Sequence, residues 1–307
     1  MCNNILEMQV CKDELNFEAI SELGSGAFGR VLLVKVKESE NDDDKENKPV
    51  NDSGQTKSCL YAYKKLSFFN NFKFSVAKSN TEMLNSVRKN YSNVSREVQL
   101  LSRCDHENII KLKYYSLPDW EEVKVVSNSI LGEAGRRANM IEKQSKVRCR
   151  RMKVKDTSAQ INKIVNKRIN IFLDEKVETN SKITTELFTE FTANSYSIDK
   201  FSKKTIKGCL TKTIFRVIQK VLTGLCFLHN VAKIVHRDIK PANVVITLEP
   251  ELTVKIIDFG LARDLNEEHK IKSAGGSTYY QAPETFVSRP TKISEKIDVW
   301  GVGCVLR

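Results

Sequence analysis

The sequence predicts an α+β protein in which a β-rich part precedes a mostly helical part. Two strand-like runs, FEAISEL and RVLLVKVK, flank a glycine-rich turn within residues 17–37. Two more β-branched runs, at 244–246 and 254–257, are bordered by polar loops. Between these regions, residues 204–229 are predicted to be a helix, because their apolar residues repeat every three or four positions. A chain of 307 residues can form one large domain or two smaller ones.

The positive charge of the chain is concentrated in one segment. The formal net charge is +12, and residues 136–168 hold twelve Lys or Arg against Glu142 and Asp156, a local charge of +10. The eight cysteines are scattered without a Cys-x-x-Cys pair, which argues against a zinc site or disulfide framework and suits a reducing compartment. We find neither a signal peptide nor a long apolar run, so we expect no membrane anchor and an intracellular protein, cytoplasmic or nuclear.

Residues 1–16 are predicted to be a short leader, and a glycine-rich turn follows the first strand. The turn Gly24-Ser25-Gly26-Ala27-Phe28-Gly29 has the spacing G-x-G-x-x-G, which is weak evidence alone because dinucleotide-binding folds share it. In those folds the last glycine opens a helix, whereas here a β-rich run follows. The pattern therefore favours a flap between antiparallel strands, whose glycines let backbone N–H groups approach phosphates closely.

A polar segment and a third strand come next. Residues 38–58 include six Asp or Glu within nine positions, and we expect a solvated, disordered loop there. The run at 60–66 is strand-like and ends in the adjacent lysines Lys64 and Lys65. Further on, Val94, Val98 and Leu101 have the spacing i, i+4, i+7, so residues 93–103 are predicted to be an amphipathic helix with Glu97 beside its apolar stripe.

A long insert at about 118–180 contains the basic segment, and three interpretations of it stay open. The first is a solvated, disordered loop, since charge runs are usually just solvated. The second is a surface at 136–168 for nucleic acid or an acidic partner, although no aromatic side chain between Ala138 and Asn170 could stack on bases. The third is a nuclear-import signal at 146–151.

The stretch at 234–260 carries the residues most suited to chemistry. Asp238 and Asn243 are five positions apart, and Asp258 follows fifteen positions later. A hairpin formed by the two β-branched runs can hold these three oxygen-bearing side chains beside one cavity. Carboxylate and amide oxygens are the ligands that Mg²⁺ prefers.

The tripeptides His236-Arg237-Asp238 and Asp258-Phe259-Gly260, with Lys240 and Asn243 in register, resemble the catalytic and metal-binding loops of eukaryotic-type protein kinases of the serine/threonine type. The resemblance implies a two-lobed fold, with an antiparallel β N-lobe and one helix, αC, over a mostly helical C-lobe. It implies ATP and Mg²⁺ as cofactors and a protein substrate with Ser or Thr. In this family the residue at Asp238 orients the substrate hydroxyl and accepts its proton, and the residues at Asn243 and Asp258 bind Mg²⁺.

The same resemblance implies the other catalytic and ATP-binding residues. Lys240 would contact the γ-phosphate, and Lys64 would bind phosphates, with Lys65 as the competing choice. Glu97 matches the αC partner of that lysine, and the 33 residues between Lys64 and Glu97 exceed the spacing expected for the family, which predicts an extra loop within 68–90. The remaining nucleotide contacts are assigned to the flap, the strands around the adenine and the hinge: Leu23, Gly24, Gly26, Gly29, Val31, Ala62, Val245, Glu190 and Thr192.

Residues 261–281 are polar and lead to Ala282-Pro283-Glu284, as an activation segment does in these kinases. Ser273 matches the position of the family's activating phosphate, with Arg237 as its partner. Ser277 matches a hydroxyl that contacts Asp238 and Lys240. We therefore assign both serines regulatory roles.

The resemblance covers about residues 17–307. It predicts an N-lobe at 17–192, with inserts at about 38–58, 68–90 and 118–180, and a C-lobe at 193–307 that is incomplete. Asp298 resembles the aspartate of the central C-lobe helix, which braces the catalytic loop. Two functions follow from the sequence: a serine/threonine protein kinase, favoured because every catalytic position that we could compare holds the expected residue, or a non-catalytic nucleotide-binding or scaffold protein.

Overall fold

A computed structural model describes residues 16–26, 29–37, 58–69, 72–152, 158–178, 180–200, 211–248, 250–266, 277–286 and 294–305. The described residues form both an antiparallel sheet and several helices, as predicted for an α+β protein. Several predictions fall outside the described residues: most of the leader, the acidic segment at 38–57, the beginning of the helix predicted at 204, and Ser273.

A five-stranded antiparallel sheet forms the N-terminal lobe, with the strand order β1-β2-β3-β5-β4. Its register places Lys64 opposite both Val31 and Leu187, and Ala62 opposite Thr189. Because side chains alternate between the faces of a strand, these residues share one face of the sheet. The strands are β1 (Phe17–Gly26), β2 (Gly29–Lys37), β3 (Ser58–Ser67), β4 (Leu112–Ser116) and β5 (Thr184–Glu190).

The first helix, α1 (Asn80–Ser102), is twice as long as predicted. It begins at a capping box, in which the Glu82 backbone N–H donates to the Ser79 hydroxyl and the Ser79 backbone N–H donates to the Glu82 carboxylate. The prediction of a loop over 68–90 is therefore wrong for residues 80–90. The insert in this part of the chain is mainly an N-terminal extension of the helix that carries Glu97.

The insert between β4 and β5 is a helical hairpin of α2 (Trp120–Met152) and α3 (Ser158–Glu178), so the disordered-loop interpretation is wrong for these residues. Each of the two helices buries apolar residues on one face, and these residues form one cluster, the hairpin core, together with Met83 and Val87 of α1. The Lys and Arg side chains lie on the exposed faces: Arg136, Arg137, Lys143, Lys146, Lys163, Lys167 and Arg168. A partner or an import role for this basic segment stays a prediction.

A second cluster, the catalytic core, joins the two lobes. It contains Val98 and Leu101 of α1, Leu187 of β5, and Ile239 and Phe259 from the two loops that resemble kinase motifs. Val94 packs against both the catalytic core and the hairpin core. Helix α1 is therefore the element that connects the insert to the catalytic loops.

The C-terminal part contains helix α4 (Thr211–Cys226), which continues into a π-helical turn at Phe227–Ala232. Short antiparallel pairs follow, and helix α5 (Lys296–Val305) packs against α4. Among the described residues, each helix is too short or too polar to cross a bilayer. The short strands are β6 (Tyr196–Ser197), β7 (Ile234–Val235), β8 (Val244–Thr247), β9 (Thr253–Ile256) and β10 (Arg263–Asp264); β6, β8 and β9 form one sheet, and β7 pairs with β10.

Candidate active site

Asp238 lies between β7 and β8, and three donors fix its carboxylate. Lys240 Nζ donates to Oδ2 over 2.6 Å, and Asn243 Nδ2 donates to the same oxygen over 2.9 Å. The backbone N–H of Ser277 donates to Oδ1 over 3.3 Å. The carboxylate is thus held in one orientation by side chains two and five residues later in the loop and by the backbone of Ser277.

Asp298 of α5, which is only 1% exposed, holds the backbone at the start of the catalytic loop, the chain from His236 to Asn243. The backbone N–H groups of His236 and Arg237 donate to its two carboxylate oxygens over 2.8 and 2.7 Å, and His229 Nε2 lies 2.8 Å from Oδ2. Arg237 has a φ of 70°, a left-handed conformation that costs a non-glycine residue energy. The bonds to Asp298 help to hold this conformation, so α5 directly shapes the loop that presents Asp238.

The ring of His236 connects this loop to the loop of Asp258. It is fully buried, it lies against Phe259 with ring centroids 5.1 Å apart, and its Nε2 donates to the carbonyl of Ile257 over 3.1 Å. Its Nδ1 accepts from the backbone N–H of Asp238 over 3.3 Å. The His236 ring therefore connects the two loops through these contacts.

Lys64 lies between two carboxylates. Its Nζ is 2.7 Å from Glu97 Oε1 of α1 and 3.4 Å from Asp258 Oδ1. Burial by itself lowers the pKa of the Lys64 ammonium, but the charges of Glu97 and Asp258 outweigh burial, so the pKa is raised above its ordinary value. Lys64 is thus a fixed positive charge at the inner face of the sheet. Lys65, the competing choice, is 40% exposed and lies 4.0 Å from Glu186.

Asn243 and Asp258 are brought together by the β8–β9 hairpin. The backbone N–H of Ile257, the residue before Asp258, donates to the carbonyl of Asn243 over 3.0 Å. Burial would raise the pKa of the Asp258 carboxyl, but Lys64 and His236 outweigh burial and hold that pKa below its ordinary value. Both amide hydrogens of Asn243 are directed at Asp238, which leaves its amide oxygen for a cation. An ionised carboxylate beside an amide oxygen fits Mg²⁺, so these two residues would hold that ion.

The residues assigned to the ATP flap and adenine site lie on β1, β2 and β3, at the end of β5 and just after it, and on β8. Gly26 pairs with Gly29, and Gly24 pairs with Val31, which lies opposite Lys64. Leu23 and Val31 are half-buried, and Val245 is half-buried between two buried neighbours on β8. These positions can line a cleft between the sheet and the β8–β9 hairpin, and their contacts with nucleotide stay predictions.

The hinge shows a structural use of Glu190 that the sequence did not reveal. Its backbone N–H donates to the carbonyl of Lys111, and its carboxylate accepts from the Lys111 N–H and pairs with Lys255 Nζ, both over 2.8 Å. The carboxylate therefore connects β5 to β9 across the lobes. Any contact of Glu190 with adenine is left to its backbone carbonyl, and Thr192 beside it is half-buried.

Ser277 and a further ion pair connect the later segment to the site. Lys240 Nζ donates to Ser277 Oγ over 3.1 Å, so the serine hydroxyl lies within the catalytic-loop network. Arg103, at the end of α1, pairs with Asp264 over 2.7 Å. We did not predict this pair, and 161 residues separate its members, so no local pattern signals it.

Comparison with known proteins gives the family. A model of the protein kinase domain matches residues 141–307, which is more than half of the chain. A probable myosin light chain kinase of Dictyostelium discoideum is 31% identical over 153 residues, which are 49% of this chain and 47% of that protein. The serine/threonine-protein kinase ICK of Rattus norvegicus is 41% identical over 93 residues, which are 30% of this chain and 14% of that kinase. The serine/threonine-protein kinase Nek10 of Homo sapiens is 38% identical over 93 residues, which are 30% of this chain and 8% of that kinase.

The chain thus matches less than half of the length of each of these relatives. The match to the family model includes the catalytic loop, the Asp258 loop and helix α5, whose geometry is described above. The chain belongs to the protein kinase family.

Proposed function

We propose that this protein transfers the γ-phosphoryl group of ATP to serine or threonine hydroxyls of protein substrates, with Mg²⁺ as the metal ion. Phosphoryl transfer needs positioning and charge neutralisation more than covalent help from the protein. The observation that carries the proposal is the fixed carboxylate of Asp238, which lies in one hydrogen-bonded network with Lys240, Asn243 and Ser277.

Each side chain has a separate part in this reaction. Asp238 orients the substrate hydroxyl and accepts its proton, so that the oxygen can attack the γ-phosphorus. Lys240, 2.6 Å from Asp238, stabilises the negative charge of the transferred group. Lys64 holds the ATP phosphates, and Glu97 keeps the lysine in place. A Mg²⁺ ion held by Asn243 and Asp258 would neutralise part of the negative charge of the phosphates.

The preference for serine and threonine rests on Lys240 and Ser277. Lys240 follows Asp238 by two residues, as in the serine/threonine version of the family's catalytic loop, and it donates to Ser277 Oγ over 3.1 Å. The named relatives include two serine/threonine-protein kinases, which agrees with this assignment.

The test is Asp238→Asn, which keeps the side-chain shape but removes the proton acceptor. We expect the variant to lose phosphoryl transfer by a factor of roughly 10²–10⁴ while it still binds Mg-ATP. Asp105→Asn is the matched control, because the Asp105 carboxylate is exposed and pairs only with Lys111 at the surface in the described structure. Transfer is measured with a mixed Ser, Thr and Tyr peptide library, and binding is measured from the rise of Tm with Mg-ATP.

Two outcomes would contradict the proposal. Equal transfer by wild type and Asp238→Asn would mean that Asp238 is not the catalytic residue. Mg-ATP binding by a wild-type protein that transfers no phosphate would support the other function considered, a non-catalytic nucleotide-binding or scaffold protein.

A further inference from the structure

The helical hairpin of α2 and α3 packs against the half of α1 that lies before Glu97. Met83 and Val87 of α1 are buried in the hairpin core, and Val87 is fully covered. One turn later, the ring of Tyr91 lies 5.4 Å from the ring of Trp120, and the Tyr91 hydroxyl donates to the carbonyl of Pro118 over 3.1 Å. The guanidinium of Arg88 lies over the same Trp120 ring. The hairpin thus contacts several successive turns of one face of α1.

The hairpin also holds the chain that leads into α1. The backbone N–H of Phe74 donates to Asn170 Oδ1 over 2.8 Å, and that of Val76 donates to Asn166 Oδ1 over 3.2 Å. Both asparagines belong to α3, and the segment they hold ends at the N-cap Ser79. The entry of α1 is therefore attached to α3 while its side is attached to α2.

A helix transmits such a restraint along its length. Val87 lies ten residues before Glu97, which is about 15 Å along the axis, so it cannot touch a nucleotide at Lys64. Val94 lies between them, packs against both cores, and is one turn from Glu97. Any tilt of the N-terminal half of α1 would therefore move Glu97 relative to Lys64, which it meets at 2.7 Å.

We propose that the α2–α3 hairpin is a built-in clamp that positions α1, and that Val87, Tyr91 and Val94 act as positioning residues for the Lys64–Glu97 ion pair. The clamp holds the helix in the state that pairs the two charges, without a separate partner protein on this face. The functional consequence rests on the proposed kinase activity, because the ion pair contributes to catalysis only if Lys64 binds ATP phosphates. The mechanical part of the proposal does not depend on that activity.

A hairpin that only stabilised the fold would have different consequences for mutation. The hairpin would then add stability to the whole molecule, and any buried valine in the N-lobe would be an equivalent site of damage. Val34 provides the comparison, since it is as fully buried as Val87 but belongs to an aromatic cluster on β2, β3 and β5 that contains no residue of α1.

The experiment compares Val87→Ala with Val34→Ala, each in the wild-type chain and in a Glu97→Gln background. The first readout is amide hydrogen exchange of residues 93–102 by mass spectrometry, which needs no catalysis. The second is kcat/KM for phosphoryl transfer. Val87→Ala should speed exchange in these residues and lower kcat/KM by roughly ten- to a hundred-fold, as displaced catalytic groups do. Once Glu97→Gln has removed the ion pair, Val87→Ala should lower kcat/KM by less than two-fold, roughly the additivity limit for independent sites.

The control and a milder variant complete the design. Val34→Ala should lower Tm by a similar amount but leave the exchange of residues 93–102 and kcat/KM within two-fold of wild type, roughly the same limit. Tyr91→Phe removes only the bond to Pro118 and should shift both readouts in the same direction as Val87→Ala, by a smaller factor. If Val87→Ala does not fold, Tyr91→Phe with Glu97→Gln completes the same cycle.

The outcomes are distinct. Equal effects of Val87→Ala and Val34→Ala, or a Val87→Ala loss of kcat/KM that persists unchanged in the Glu97→Gln background, would overturn the clamp. Absence of transfer in the wild-type chain would overturn the proposed function instead. In that case the exchange of residues 93–102 still decides whether the hairpin positions α1.

Discussion

The Asp258 carboxyl at the centre of the site is subject to opposing effects. Burial raises its pKa, but Lys64 and His236 outweigh burial and leave the pKa below its ordinary value. The folded protein therefore keeps this carboxylate ionised at a lower pH than the unfolded chain does. Its contribution to stability is complete above the unfolded pKa of about 4 and is lost as pH falls through the lower folded pKa.

The lowered pKa of Asp258 gives a measurable prediction for the variant Asp258→Asn. The difference in the free energy of unfolding between wild type and this variant should be constant from about pH 7 to pH 5 and should shrink as pH falls below about 4. Urea unfolding at a series of pH values measures it. A difference that does not change between pH 7 and pH 3 would show that the ionised form of Asp258 gains nothing from folding.

Cys104, at the end of α1, carries a second residue-scale prediction. Burial raises the pKa of its thiol to about 12, and Sγ donates to the carbonyl of Leu100 over 3.3 Å. Since the thiolate is the reactive form, native Cys104 should resist alkylation at pH 8, whereas the exposed Cys226 should react. Peptide mapping after brief iodoacetamide treatment distinguishes the two, and both should react in 8 M urea. Labelling of native Cys104 as fast as Cys226 would mean that α1 opens at this end.

The residues that we propose for catalysis could be recognised in the sequence because they lie in short linear patterns. Asp238, Lys240 and Asn243 fall within six residues of the sequence, and the β8–β9 hairpin that brings Asp258 to them is a local structure. The Arg103–Asp264 and Lys255–Glu190 ion pairs are long-range contacts between residue types that are common on protein surfaces. Their partners are set by how the lobes pack, so no local sequence pattern indicates these pairs.

At the scale of elements, the approach of α5 to the catalytic loop depends on Gly301. A Cβ at this position would lie 2.9 Å from both the Cβ and the carbonyl oxygen of Ile239, which is closer than real contacts allow. Ile239 stands between Asp238 and Lys240 in the chain. The absence of a side chain at Gly301 therefore lets Asp298 reach the backbone of the loop.

Gly301→Ala should therefore reduce both stability and catalysis. We expect a loss of about 1–3 kcal/mol in the free energy of unfolding from overpacking, and a fall in kcat as Asp238 shifts. Gly303→Ala is the matched control, because a Cβ there meets no atom within 4 Å. That variant should be as stable as wild type or up to about 1 kcal/mol more stable, since alanine favours helix. Equal effects in urea unfolding and kinase assays would show that the contact with Ile239 is unimportant.

The elements that were predicted wrongly share a physical reason. The capping box at Ser79 and Glu82 and the apolar spacing of Met83, Val87 and Val94 were present in the sequence, but the expected family spacing favoured a loop. In the insert, the high density of Lys and Arg at 136–168 outweighed the apolar positions Val123, Ile130 and Ala134, which are buried in the structure. A high charge on the outer face of a helix is compatible with an apolar inner face, so charge density alone does not indicate disorder.

At the scale of the whole molecule, the two hydrophobic cores share α1. Val94 contributes to both, and the residues of α1 on either side of it belong to the hairpin core before it and the catalytic core after it. A helix that is buried in two cores cannot lose its packing in one without exposing surface in the other. The insert and the catalytic lobe should therefore unfold together, as small cooperative domains do.

Leu131→Ala tests this cooperativity from the hairpin side. Leu131 is fully buried in the hairpin core, and its truncation should cost about 2–5 kcal/mol. If the cores are coupled, hydrogen exchange measured by mass spectrometry at intermediate urea should accelerate equally in α2 and in β9, which lies in the catalytic core. Val125→Ala, at a position that is 67% exposed on α2, should change neither. Faster exchange confined to α2 and α3 would contradict the coupling, because it would show that the hairpin opens as a separate unit and that α1 keeps its place on the catalytic core without the hairpin.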